Sequence, residues 1–332
     1  MKEIKKKNIF ARYRDFRNMQ RVCLPNEGDF FSFLKHYRLF LYNRRKFKFM
    51  KQEYFEYKLY EMDDADKLAY VPGRLYPSRY VRRLNSDEAC SITVSKPKIN
   101  SLFPELLHRD WVDCTTCTQA KLEAFLGKHA TFIQKPVDGQ SGHDVSKRRT
   151  EEITDTAQAL AWWRKEGFML EEIIVEDPTL AAYNPDSLNT IRVCTIRNKD
   201  GNYDIINAAF RIGRKGKCVD NFDGGGIAAK IDFDSGEVVA AAVNGMGQRF
   251  ERHPDSGIPI IGAMIPKWDE IKDTAVRSAQ KLPGRCVAWD FCVNSNGEVT
   301  LIEANSAPSI DFMQLVEGYG FASLLDRYVA EQ

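Results

Sequence analysis

The last 46 residues of the chain hold an alternating apolar pattern interrupted by two carboxylates, and this most narrows what the chain can fold into. Val-Ala-Trp-Asp-Phe-Cys-Val at 287–293 and Thr-Leu-Ile-Glu-Ala-Asn at 300–305 flank Asn296-Gly297, the strongest short hairpin signal. A two-residue turn there pairs residues whose numbers sum to 593 and sets Asp290 opposite Glu303. Asn305 then shares their face, while Trp289, Phe291, Val293 and Ile302 point the other way, toward a core. Like charges opposed at about 5 Å destabilise a sheet unless something sits between them. A hard divalent cation held by two carboxylates and an amide oxygen answers that repulsion, and Mg²⁺ bound in this way usually carries substrate phosphates as well. A solvated acidic face is the alternative.

At 332 residues the chain has room for two or three domains or one multi-lobed unit. Apolar residues make up 43% and mean hydropathy is -0.42. No stretch approaches the roughly 18 apolar residues a membrane span requires, and no apolar signal region follows the lysine-rich start. The expected location is cytoplasmic, at most peripheral at the inner membrane face. Eight scattered cysteines form no disulfide framework and read as reduced; Cys114 and Cys117 are a lone CxxC, read as structural.

The net charge of +2 conceals an asymmetry. Residues 1–58 hold 16 Lys/Arg against 6 Asp/Glu, a net of +10, and the remainder holds 32 against 40, a net of -8. Aromatics interleave the basic stretch, and spacings such as Phe33, Tyr37, Phe40 predict two or three helices with an apolar side. Such a module suits an anionic membrane surface, an acidic or lipid-linked glycan acceptor, or nucleic acid, with no specific nucleic acid expected. The competing reading has the helices packing on the main body with their cations in water.

From about residue 91 the pattern predicts strands at 130–135, 168–175, 190–197, 205–212, 226–233 and 238–243, then the terminal hairpin. It predicts helices at 155–165, 267–281 and 321–330. This is an α+β body with mostly antiparallel sheets. Three constellations could carry chemistry. Lys135 ends a strand that runs into Gly139, Gln140, Ser141 and Gly142, a loop able to fold amides over phosphates but lacking the GK[ST] of a Walker loop. Glu171, Glu172, Ile173 and Ile174 lie on a strand that breaks at Asp177-Pro178, fit to meet a purine edge and ribose hydroxyls. Asn189 and Arg192, then Arg211, then Asn221 before Gly224, Gly225 and Gly226, join arginine forks suited to a carboxylate or phosphate with glycines that permit close approach.

The order of these pieces, with Ser187-Leu-Asn-Thr-Ile-Arg192, Val219-Asp-Asn221 and Leu301-Ile-Glu-Ala-Asn305, resembles the ATP-grasp superfamily, closest to its sugar-transfer-associated members, over roughly residues 95–316. The resemblance implies two α+β lobes clasping ATP: residues 91–172, carrying the glycine loop, and 173–332, carrying the metal site, behind a mainly helical basic segment at 1–90. It implies that Lys135 and an upstream lysine contact ATP. Lys96 and Lys98 both qualify, and Lys98 is preferred as nearer the loop. Gly139 to Gly142 would cover the phosphates, Glu171 to Ile174 would meet adenine, Asp177 or Glu176 would take the ribose, and Asp290, Glu303 and Asn305 would hold Mg²⁺, expected as two ions. The implied activity is a carboxylate–amine ligase working through an acyl phosphate, with Lys135, Arg192 and Arg211 neutralising charge. Its partners would be ATP, an amino acid or sugar acid, and an amine acceptor linked to polysaccharide biosynthesis. A phosphotransferase acting on a hydroxyl, or a non-catalytic nucleotide-binding scaffold, are the alternatives.

Overall fold

The computed structural model describes residues 9–139 and 144–331. Two antiparallel sheets organise it. The smaller combines β1 (Trp111–Asp113), β2 (Thr131–Pro136), β3 (Ser146–Arg149) and β4 (Phe168–Glu172) in the order β1-β4-β2-β3. The larger combines β5 (Ile191–Arg197), β6 (Tyr203–Ile212), β7 (Ile227–Lys230), β8 (Ala242–Asn244), β9 (Arg249–Phe250), β10 (Cys286–Val293) and β11 (Val299–Asn305) in the order β11-β10-β5-β6-β7-β8-β9.

Period-two alternation sorts each strand's side chains between two cores. Ile191 and Val193 of β5, Phe210 and Ile212 of β6, and Val287, Trp289 and Phe291 of β10 pack against the helix Trp268–Gln280. The residues between them, Arg192, Arg211 and Asp290, face the other side and line a cavity. In the small sheet, Phe132 and Leu170 pack with Leu122 and Trp163 of the helices Gln119–Lys128 and Thr156–Glu166. That leaves Ile133, Lys135 and Glu171 to the cavity. The helix Thr156–Glu166 starts where Asp155 accepts from the Ala157 and Gln158 amides, satisfying two otherwise orphaned donors.

The basic N-terminal segment folds as helices Ile9–Cys23, Phe30–Lys46, Lys51–Glu56 and Asp64–Ala69. Phe16, Phe40, Tyr54 and Phe55 share one core with Leu325 and Phe312 of the C-terminal helices and with Ile196 of β5. The segment therefore closes over the second face of the large sheet instead of folding on a core of its own. All eight cysteines are free thiols.

The terminal hairpin departs from the two-residue turn. Val293 pairs with Val299, Gly297 takes a left-handed φ of 77°, and its amide donates to the Asn294 carbonyl, a three-residue loop ending in a left-handed glycine. Near the turn the register is thus one residue short. A bulge at Ile302, between the Asp290–Glu303 and Phe291–Leu301 pairs, restores it. Asp290 does face Glu303, but Ile302 lines the cavity and is not in the core. The strand predicted at 168–175 ends at Glu172. Residues 173–175 cross between the sheets, where the Val175 carbonyl accepts from Ser295 and Glu176 bridges Asn294.

Candidate active site

A cavity of about 870 Å³ lies between the two sheets, within the range that engulfs a nucleotide or comparable ligand. On the small-sheet side Lys135, 6% exposed, is held 2.7 Å from the Glu171 carboxylate. Glu171 also accepts from Arg109 at 3.1 and 3.2 Å and from Asn100 at 3.1 Å. One buried anion serves two cations. Burial pushes the Glu171 carboxyl up, yet Arg109 and Lys135 outweigh it and hold it at about 2. Burial likewise dominates at Lys135 and, with the Arg109 charge, overcomes the pull of Glu171, so its ammonium sits below the usual lysine range. This excess of positive charge is what a bound phosphate would offset.

On the large sheet, β10 lies beside β5, which sets Asp290 next to Arg192. Arg192 grips both carboxylate oxygens, Nε at 2.7 Å and a terminal nitrogen at 2.6 Å, and Arg211 adds a bond of 2.7 Å to Oδ2. Arg211 also pairs with Asp220 at 2.8 Å. Burial would raise the Asp290 carboxyl, but the two guanidinium groups hold it below its ordinary value. The repulsion expected between Asp290 and Glu303 is therefore already relieved by arginines of the protein itself.

Both Glu303 and Asn305 are half-buried on the cavity wall. A carboxylate has about four lone-pair sites. Asp290 spends three on arginines, leaving one on Oδ1. The donors are all oxygen, the set that suits Mg²⁺, so the residues fit such an ion with Glu303 and Asn305 as its most accessible ligands.

The remaining expected residues divide. Gly139, Glu172, Ile173, Ile174 and Asn221 line the cavity, while Gln140, Ser141 and Gly142 lie outside the described residues. Glu171 also lines the cavity, and its side chain is the counter-ion of Lys135. Lys98 is exposed and away from the cavity, whereas Lys96 lines it and donates to the Gly139 carbonyl at 2.9 Å, tying down the root of the glycine loop. Asp177 caps the short helix Pro178–Ala181 and is not on the wall; the wall residue is Glu176. Asn189 is fully buried behind it, donating to both Glu176 oxygens at 2.7 and 2.9 Å. Burial raises the Glu176 carboxyl to about 8, against the pull of these bonds. Of the three glycines, Gly226 serves its own loop: a Cβ there would stand 2.0 Å from the Asp220 carbonyl oxygen.

Sequence reading missed Lys147, which faces the cavity from β3 because it pairs with Ile133. It also missed the far end of the cavity. There Gln52 and Glu56 of the N-terminal helices meet Asn244 and Met246, with Asp311 and Phe312 of the helix Ile310–Glu317. Phe312 lies under the Arg192 guanidinium, 5.0 Å from its carbon to the ring centroid. Asp110, His129 and Glu172 also bring ligand atoms together among the described residues, but at the outer edge of the small sheet, where His129 and Lys128 pair with Asp110.

The family profile described as "Sugar-transfer associated ATP-grasp" matches residues 78–329. No curated protein matches the chain. Among solved structures, the ATP-grasp ligase PsnB, complexed with minimal precursor, Mg and ADP, is 16% identical with a TM-score of 0.45, covering 75% of this chain and 61% of its own. The D-alanine-D-alanine ligase from Coxiella burnetii is 12% identical with a TM-score of 0.46, covering 74% and 59%. D-alanyl-alanine synthetase A from Vibrio cholerae is 14% identical with a TM-score of 0.47, covering 74% and 67%. The chain thus spans about three fifths of the length of the first structures it matches. The profile covers both sheets and every cavity-facing strand, and on that match the chain belongs to the sugar-transfer-associated ATP-grasp family.

Proposed function

We propose that the protein is an ATP- and Mg²⁺-dependent carboxylate–amine ligase. The observation that carries this reading is the pairing, across one cavity, of a buried lysine with surplus positive charge and an oxygen-rich wall. Lys135, Lys96 and Lys147 would take the triphosphate, Ile173 and Ile174 the base, and Glu303, Asn305 and Asp290 the metal. Mg²⁺, expected as two ions, supplies neutralisation of phosphate charge when bound. A substrate carboxylate oxygen would attack the γ-phosphorus as its bond to the bridging oxygen breaks and ADP leaves. An amine would then attack the acyl carbon of the resulting acyl phosphate, releasing phosphate and a proton to give an amide. Arg192 and Arg211 orient Asp290, and Arg192 presents charge to the substrate region beside Phe312. Positioning and charge neutralisation would supply the rate, with no protein nucleophile.

The far end of the cavity supports an amine as the second substrate. Four strand spacings, about 19 Å, separate β10 from β8, and among the described residues the walls there carry the carboxylates Glu56 and Asp311, while Arg192, the cation that reaches Phe312, is engaged by Asp290. The carboxylate is proposed to be an amino acid or sugar acid and the acceptor to be glycan-linked, in keeping with the family's sugar-transfer association. An anionic membrane surface is the partner proposed for the basic N-terminal segment.

Incubation with ATP, Mg²⁺, a panel of carboxylates and hydroxylamine tests the chemistry. Carboxylate-dependent ADP release with a trapped hydroxamate is the expected result. Phosphorylated product without hydroxamate would replace the ligase by a phosphotransferase, and ATP binding without turnover across the panel would leave a scaffold.

A further inference from the structure

We propose that the outer face of the helix Phe30–Lys46 is a docking surface for an anionic lipid bilayer. This narrows the membrane contact above to one face, and it rests on surface chemistry independent of the nucleotide site.

The helix has two apolar sides where one is enough to hold it in the fold. At 100° per residue, Phe33, His36, Phe40 and Asn43 form one stripe, all buried. His36 meets the Tyr54 hydroxyl at 2.9 Å and Phe40 packs on Phe16 with ring centroids 5.2 Å apart. On the opposite side Phe30, Phe31, Leu34 and Leu41 fall within about 100° of arc, and they are 60, 80, 42 and 44% exposed. Single exposed apolar residues are ordinary, but a stripe of four on one helix face marks an interaction site.

The charge around the stripe selects the occupant. The helix contains Lys35, Arg38, Arg44, Arg45 and Lys46 and no Asp or Glu. Lys46 is taken by Asp64 at 2.6 Å. Among the described residues no carboxylate forms an ion pair with Lys35, Arg38, Arg44 or Arg45. Arg38 and Arg45 lie within the apolar arc itself, and Lys35 and Arg44 flank it. A protein partner seated on the stripe would bury those two arginines unless it supplied matching acids. A bilayer takes the apolar side chains below the headgroups while long basic side chains reach back to lipid phosphates. The helix runs about 25 Å, so it would lie along the surface. No helix of the described residues is long and apolar enough to cross a membrane.

The test uses the full chain with vesicles of phosphatidylcholine containing about a third phosphatidylglycerol, beside pure phosphatidylcholine vesicles. Binding to the anionic vesicles alone is expected, weakening as salt rises. Arg38→Gln and Arg45→Gln should each weaken it roughly fivefold, and Phe30→Ser, Phe31→Ser and Leu34→Ser combined at least about tenfold. ATP turnover and circular dichroism of each variant should match the parent, because none of these residues lines the cavity; this reading separates failure of the membrane contact from failure of the ligase chemistry. Equal binding by all variants, binding indifferent to lipid charge, preferential capture of single-stranded RNA, or a dimer that the triple variant dissolves would each overturn the proposal.

Discussion

Replacing Asp290 by Asn tests whether the opposed carboxylates are held by arginines or by a cation. The Asp290 side chain is 6% exposed, and those of its partners Arg192 and Arg211 are 16 and 9% exposed. The substitution leaves Arg211 paired with Asp220 but strips Arg192 of its counter-ion among the described residues, and it turns an amide N–H toward a guanidinium. Removing one partner of a buried ion pair typically costs about 3–5 kcal/mol, because the other charge stays buried. Over 332 residues the unfolding entropy is about 0.7 kcal/mol/K, so each kcal/mol is worth about 1.4 °C of Tm and the melting point should fall by roughly 4–7 °C. Glu303→Gln removes a half-buried group with no arginine clamp and should leave the melting point within about 2 °C while abolishing Mg²⁺-dependent turnover. Differential scanning calorimetry with and without Mg²⁺ reads both. Should Asp290→Asn melt with the parent while Glu303→Gln melts far below it, the arginine clamp would not be what holds Asp290, and the electrostatic reasoning would fail. Arg192→Gln combined with Asp290→Asn should recover part of the lost stability, since it removes the uncompensated charge.

Three further outcomes follow from the same geometry. Lys135→Met should weaken ATP binding at least tenfold by calorimetry with little loss of fold, since Glu171 keeps Arg109. Lys96→Ala should weaken ATP binding through loss of its bond to the loop root, while Lys98→Ala should not; equal effects would refute the assignment of Lys96. Glu176 binds its proton more tightly folded than unfolded, with a folded pKa of about 8. Its contribution is therefore fully present below the unfolded carboxyl range and is lost as pH rises through about 8. Melting temperature should decline between pH 5 and 8, and Glu176→Gln should flatten that decline; an unchanged slope would refute the assignment.

Where periodicity was unambiguous, the chain could be read directly. The helices Thr156–Glu166, Trp268–Gln280 and Ala322–Ala330 lie within two residues of their predicted bounds, and the alternation of β5, β6 and β10 accounts for the common face that Arg192, Arg211 and Asp290 take in the structure. Which strands are neighbours is not written in alternation. By residue type Arg192 and Arg211 suit a ligand anion, yet β10 returns beside β5 and gives them Asp290 as their anion. Ile173, Ile174 and Val175 have strong strand propensity, but among the described residues they join no ladder beyond the Ser295 amide on the Val175 carbonyl, and they form a crossing. Lys98 stands two residues beyond Lys96 on the helix Lys96–Leu102, about 200° around its axis, and nearness in sequence to the glycine loop could not compensate for facing away.

The hairpin holds the sharpest case, because its central pair was reached through two errors that cancel. An Asn-Gly pair favours a two-residue turn when both residues take positive φ, but here Gly297 alone does so among the turn residues. The loop takes a third residue and the ladder loses one step. Left uncorrected, that slip would turn Glu303 away from Asp290, since one residue of register exchanges the faces of a strand. The bulge at Ile302 gives the step back, and it does so at the pair whose facing matters to the site. It also brings Ile302 onto the wall beside Glu303, adding an apolar side chain where a strict ladder would have buried it. Bulges gather where a strand must re-aim a side chain. Here the ladder is broken at the position where alternation alone would have left Glu303 on the wrong face.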